Sequence, residues 1–131
     1  MREILFRGQS IDLRKWYEGD LYQSRLKSVF YINYYTEHGD RMAVEVDPET
    51  VGQYTGMTDI NGNKIFEGDI CQHRSEYSGN IVISVVTYTD GQFLAMPDDN
   101  SGFNLSDKLE IIGNIHDNPE LLGGKADADK T

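Results

Sequence analysis

Two short runs place acids where they could act in pairs. Trp16-Tyr17-Glu18-Gly19-Asp20-Leu21 and Ile65-Phe66-Glu67-Gly68-Asp69-Ile70 share one pattern: apolar, aromatic, Glu-Gly-Asp, aliphatic. Each follows an aromatic-x-Gly landmark, Phe6-Arg7-Gly8 in the first case and Tyr54-Thr55-Gly56 in the second. Brought together, Glu18, Asp20, Glu67 and Asp69 would supply the paired carboxylates of glycoside or metal-assisted hydrolysis. Such a site needs a further partner, and no His or Lys is placed to complete one. Turn chemistry accounts for the pattern better. Gly19 and Gly68 take the strained backbone position, while Asp20 and Asp69 bond nearby main-chain donors. The expectation is a strand, a tight corner and a strand re-entering the sheet, used twice. A carboxylate-dependent hydrolase is the least supported function.

Asp59-Ile60-Asn61-Gly62-Asn63 offers side-chain oxygens at alternate positions, as calcium loops do. An EF-hand requires Gly at its sixth position and a bidentate Glu at its twelfth. Counted from Asp59, those positions hold Lys64 and Ile70. Asn61 and Gly62 therefore belong to an Asx-supported turn. His38, His73 and His116 lack the HxH or HExxH spacing of a shared metal site. Cys71, the single cysteine, follows Ile70 in a strand-like run and reads as a small buried hydrophobe. Phosphate-cradling GxGxxG and GxxxxGK[ST] loops are absent, as is a Gly-x-Ser-x-Gly elbow. The residues assemble no nucleophile, base or ligand set, so no catalytic residue, metal or cofactor is assigned.

The binding candidate is the aromatic run Phe30-Tyr31-Ile32-Asn33-Tyr34-Tyr35. A strand alternates its side chains, so Phe30, Ile32 and Tyr34 share one face and Tyr31, Asn33 and Tyr35 the other. One set must be core. The other can form a stacking platform or a peptide groove. Tyr31 and Tyr35, with Trp16, are the candidate contact residues.

The elements that must position these residues are short strands. Eight Tyr, five Phe and thirteen Gly suit pleated surfaces joined by tight turns. No window carries a clean helical stripe, so little helix is expected. Asp90-Gly91, between 80–89 and 92–96, signals a type I′ hairpin. That turn sets Tyr88 opposite Phe93 and Val86 opposite Ala95, all four on one core face. A second hairpin joins 29–35 to 41–46, ended by Asp47-Pro48. A short strand at 64–66, an exposed loop at 97–102 and a last strand at 109–115 follow. Asn118-Pro119 opens one helical turn, with Asn118 as its N-cap. After Gly123-Gly124, residues 123–131 read as a flexible polar tail.

A chain of 131 residues fits one domain, here placed at 1–122 with a barrel core at about 51–118. Net charge is -10, which disfavours non-specific nucleic-acid binding. Residues 1–30 nonetheless hold six basic side chains and four acidic ones. That mildly basic end, on an acidic body, suggests self-association as one outcome. A lone cysteine fits a reducing compartment. With no long apolar run and no apolar segment in Met1–Gly8, the expected location is the cytoplasm, without membrane contact.

The run from Val46 to Ile70, with its Gln53-Tyr54-Thr55-Gly56, Asp59-x-Asn61-Gly62 and Ile65-Phe66-Glu67-Gly68-Asp69-Ile70 segments, resembles the YopX family of phage and prophage proteins. The opening Arg2-Glu3-Ile4-Leu5-Phe6-Arg7-Gly8 is similar to that family's start. The closing Ile112-Gly113-Asn114-Ile115-His116-Asp117-Asn118-Pro119-Glu120-Leu121-Leu122 is similar to its end, with His116 where Tyr is common. Residues 22–45 match least. The resemblance implies a compact, mainly β fold with a small SH3-like barrel, and it carries over no catalytic or ligand-binding residue. The expected protein is a phage or prophage accessory protein that binds another protein and performs no catalysis. A nucleic-acid-associated module is the alternative.

Overall fold

Residues 3–25 and 28–122 are described in a computed structural model, so the expected tail at 123–131 lies outside the described residues. The chain divides between Gly56 and Met57 into two compact units. Strands dominate both, and among the described residues the only helical segments are 3₁₀ turns at Pro48–Thr50 and Pro119–Leu122.

In the first unit, β1 (Phe6–Gln9), β2 (Trp16–Gln23), β3 (Phe30–Tyr35), β4 (Arg41–Val46) and the start of β5 (Gly52–Thr58) form an antiparallel sheet ordered β4-β3-β2-β1-β5. Ile32 and Val46 are fully buried, which makes the Phe30/Ile32/Tyr34 side of β3 the core face. Gly8 is small for a reason: a β-carbon there would lie 2.9 Å from Val46 Cγ2. Ser10 bridges to Val46, and the Asp47 N–H donates to the Gln9 carbonyl at 2.9 Å, so β1 also meets the end of β4. Proline then stops the strand as expected. The Asp47 carboxylate accepts from the Glu49 N–H at 3.1 Å, capping the 3₁₀ turn.

In the second unit, β7 (Asp69–Arg74), β8 (Ile81–Thr89), β9 (Gln92–Asp98), β10 (Ser101–Asn104) and β11 (Glu110–Asn114) form an antiparallel sheet ordered β10-β9-β8-β7-β11. Ahead of it, β6 (Lys64–Phe66) turns back on β5 through Asp59–Asn63. Ile65, Cys71, Val86, Ala95 and Leu109 make the core, with Phe103, Leu105 and Ile111 packed against it. The Asp90-Gly91 turn has positive φ at both residues, 52° and 81°. Tyr88 pairs with Phe93 and Val86 with Ala95, as the turn chemistry dictates.

Four expectations need correction. Neither sheet is a closed barrel: β4 and β6 end the first and β10 and β11 the second, so the architecture is mainly β with two antiparallel sheets. The first Glu-Gly-Asp is no corner, because Gly19 and Asp20 lie inside the continuous strand β2. Gly19 serves close approach instead, since a β-carbon there would collide with the Asn33 carbonyl oxygen. Residues 97–102 are not one loop but the end of β9, a tight turn and the start of β10. Finally, the Tyr88 end of the hairpin face reaches beyond the core, leaving Tyr88 54% exposed against the edge of the Phe93 ring.

Candidate functional site

The outer face of the first unit's sheet is built by register. In the β2–β3 ladder Tyr22 sits opposite Tyr31 and Asp20 opposite Asn33. In the β3–β4 ladder Tyr31 faces Glu45, Asn33 faces Ala43 and Tyr35 faces Arg41. In β1–β2, Gln9 pairs with Trp16 and Arg7 with Glu18. Because strand side chains alternate, Trp16, Glu18, Asp20, Tyr22, Tyr31, Asn33 and Tyr35 share one side of the pleat. The opposite side carries buried Ile32 and the Tyr17–Tyr34 ring pair at 4.8 Å. Alternation in sequence puts Tyr31 and Tyr35 on one face, as they lie here, and the β1–β2 and β2–β3 registers add Trp16 to the same side.

Their exposures differ. Tyr35 is 71% and Tyr22 57% exposed, whereas Trp16 and Tyr31 are half-buried. Arg7 holds its guanidinium 4.8 Å from the centre of the Trp16 ring, a cation–π contact that fixes the indole against the sheet. Tyr22 and Tyr31 rings approach to 6.2 Å at a tilt, within the range of favourable aromatic pairs. Trp16 and Tyr31 are each held by a neighbouring side chain, and Tyr22 and Tyr35 are the prominent rings of this face. Glu18, Asp20, Arg41 and Glu45 surround them, all exposed. Sequence reasoning missed Tyr22. Its signal was the uninterrupted β2 strand, which a supposed corner at Gly19 concealed.

The acids of the two Glu-Gly-Asp runs have different surroundings. Asp20 is an exposed strand residue of the first unit. Asp69 is buried in the second and accepts the Phe66 N–H at 2.7 Å, closing a corner at Gly68, whose φ is 93°. Gly68 and Asp69 are thus the corner that the sequence predicts. Asn61 and Gly62 likewise lie in a turn. The Asp59 carboxylate accepts the N–H groups of Asn61 and Asn63 through Oδ1, at 3.0 and 2.9 Å, and that of Ile111 through Oδ2 at 3.0 Å. Burial alone would raise its pKa, but these hydrogen bonds from main-chain donors outweigh burial and hold it below the ordinary value. Both oxygens are occupied by donors, which leaves the loop without the free acceptor set that a cation needs.

Cys71 is buried, and burial followed by the charges of Asp69 and Asp59 pushes its thiol up to about 12. A thiol so poor in thiolate is a weak nucleophile. His38 is an exposed turn residue 4.0 Å from Glu37, and His73 lies on β7 with its ring edge-on to Phe103 at 4.8 Å. Among the described residues no group of three or more His, Cys, Asp or Glu is placed to hold a metal ion. No helix there is long and apolar enough to cross a membrane.

Comparison with known proteins bears on fold and family. A family model described as YopX protein matches residues 5–123. Among solved structures, the chain is similar to the crystal structure of protein EF1440 from Enterococcus faecalis. That similarity has a TM-score of 0.59 and 24% sequence identity, and covers 93% of this chain and 99% of that one. No curated protein matches.

Proposed function

Since the chain belongs to the YopX protein family, we propose that it is a phage or prophage accessory protein of the bacterial cytoplasm that acts by binding another protein. The contact surface is the aromatic outer face of β2, β3 and β4. One observation carries this reading. Tyr22 and Tyr35 are largely exposed on a sheet face that also holds Tyr31 and Trp16, so aromatic area with polar tips is presented to solvent on rigid strands. Tyrosine and tryptophan are enriched at protein interfaces because they combine large apolar area with few rotamers and a polar handle. The ligating and nucleophilic groups elsewhere are engaged: Asp59 and Asp69 with main-chain donors, Cys71 in the core.

The nucleic-acid alternative draws on the basic N-terminal end and the same tyrosines. It is weakened by where the cations go. Arg7 lies on Trp16, Lys15 sits 5.6 Å from the Tyr17 ring, and Arg14 pairs with Asp47 at 2.9 Å. Residues 1–56 carry seven basic and nine acidic side chains, so no net positive field remains to attract phosphates.

Affinity capture from bacterial lysate separates these readings. The wild-type chain should retain a partner that the Tyr22→Ser/Tyr35→Ser chain loses and a Tyr88→Ser chain keeps. Equal retention by all three excludes this face. A partner that disappears on nuclease treatment, with salt-sensitive anisotropy on DNA, favours the nucleic-acid module.

A further inference from the structure

Along β2 the outward side chains run Trp16, Glu18, Asp20, Tyr22, so two carboxylates stand between two aromatic rings. Across the ladders Asp20 lies opposite Asn33, and Asn33 opposite Ala43. That row is made of short side chains. The row on one side of it holds Tyr22, Tyr31 and Glu45, and Tyr35 stands on the other side, paired with Arg41. Side chains two positions apart on one face are separated by about 6–7 Å. The short row is therefore a shallow trough across three strands, flanked by tyrosines, with the exposed Asp20 carboxylate at its β2 end.

The trough is negative. Glu18, Asp20 and Glu45 are exposed, and among the described residues none of them enters an ion pair. Arg7 faces Glu18 across β1–β2, but its guanidinium lies on the Trp16 ring. Arg41 is on β4, two strands away from Asp20. These acids repel phosphates and leave a cation as the complement of the face.

Resting on the protein-binding reading, we propose that the partner lays an arginine from an extended segment into this trough. The guanidinium forks onto the Asp20 carboxylate and sets its plane on the Tyr22 ring, which Tyr31 neighbours at 6.2 Å. Arginine suits the pair better than lysine, because one planar group both donates in a fork and stacks. Asp20 is exposed, so the ion pair contributes selectivity and a few-fold in affinity, and the aromatic area supplies the rest.

Amide NMR of the full chain, titrated with acetyl-Gly-Ala-Arg-Ala-Gly-amide and with its lysine and neutral citrulline counterparts, tests the pairing. The arginine peptide should move the Asp20, Tyr22 and Tyr31 signals. It should bind about fivefold more tightly than the citrulline peptide, with the lysine peptide between them. Asp20→Asn, at an exposed position, should erase the difference between arginine and citrulline. Tyr22→Ser should erase the difference between arginine and lysine. The proposal is overturned by unmoved Asp20 and Tyr22 signals at millimolar peptide, by equal binding of arginine and citrulline, or by an arginine preference that survives Asp20→Asn. Lysate capture keeps the two readings apart. Capture that depends on Tyr22 and Tyr35 but is unchanged by Asp20→Asn overturns the arginine alone, whereas capture indifferent to those tyrosines overturns both.

Discussion

A β-carbon at position 19 has no room, because it would collide with the Asn33 carbonyl oxygen on the neighbouring strand. Gly62 has open space around its missing β-carbon but a φ of 83°. The two glycines answer to different physics, and substitution separates them. Gly19→Ala should destabilise the chain by about 1–3 kcal/mol through displaced backbone. Gly62→Ala should cost only about 1 kcal/mol, from the left-handed conformation alone. Urea unfolding of both variants checks the order. Asp59 acts through its charge state. Its carboxyl group titrates below the ordinary 3.8 in the folded chain, so the unfolded chain takes up the proton first as pH falls. Its stabilisation is complete above the unfolded value and is lost as pH drops through the folded one. Asp59→Asn should therefore cost about 1–3 kcal/mol at neutral pH by turning a donor toward main-chain N–H groups. The gap to wild type should shrink below about pH 4, as stability curves at several pH values would show. Ser84 is the reverse case. Its buried hydroxyl has no partner among the described residues, and Ser84→Ala should leave the melting temperature unchanged or raise it.

Among the elements, the β8–β9 hairpin was the most legible, because Asp-Gly between two apolar runs specifies both turn and register. Local chemistry suffices there. The Tyr88–Phe93 pair it creates, with ring centres 5.0 Å apart, should show a coupling of about 0.5–1.5 kcal/mol in a double-mutant cycle with alanine, read by denaturant unfolding. The corner at Gly68 was legible for the same reason: Asp69 bonds to a main-chain donor three residues away. Gly19 was misread because a glycine chosen for close approach of a neighbouring strand looks, in sequence, like one chosen for a turn. The distinguishing atom, the Asn33 carbonyl, lies fourteen positions along the chain. The candidate face shows the same limit. Alternation within β3 fixed Tyr31 and Tyr35 on one side, but adding Tyr22 required the β2–β3 register.

At the scale of the whole molecule, a net charge of -10 keeps copies of the chain apart in general, so any contact it makes must come from a built surface. Aromatic side chains on the sheet of the first unit provide one. A surface that binds through buried aromatic area should be only weakly sensitive to salt. Raising ionic strength from low to physiological should leave partner capture within a few-fold, whereas phosphate contacts would weaken it by orders of magnitude. Unchanged mass in light scattering across two concentrations would further separate a foreign partner from a second copy of the chain. The most direct measurement is photo-crosslinking in the bacterial host with a photoreactive amino acid at position 35, at position 22 or at position 88. The protein-binding account predicts one discrete adduct from positions 35 and 22 and none from 88. An adduct from 88 alone, or no adduct from the two sheet positions while the chain remains folded, would contradict it.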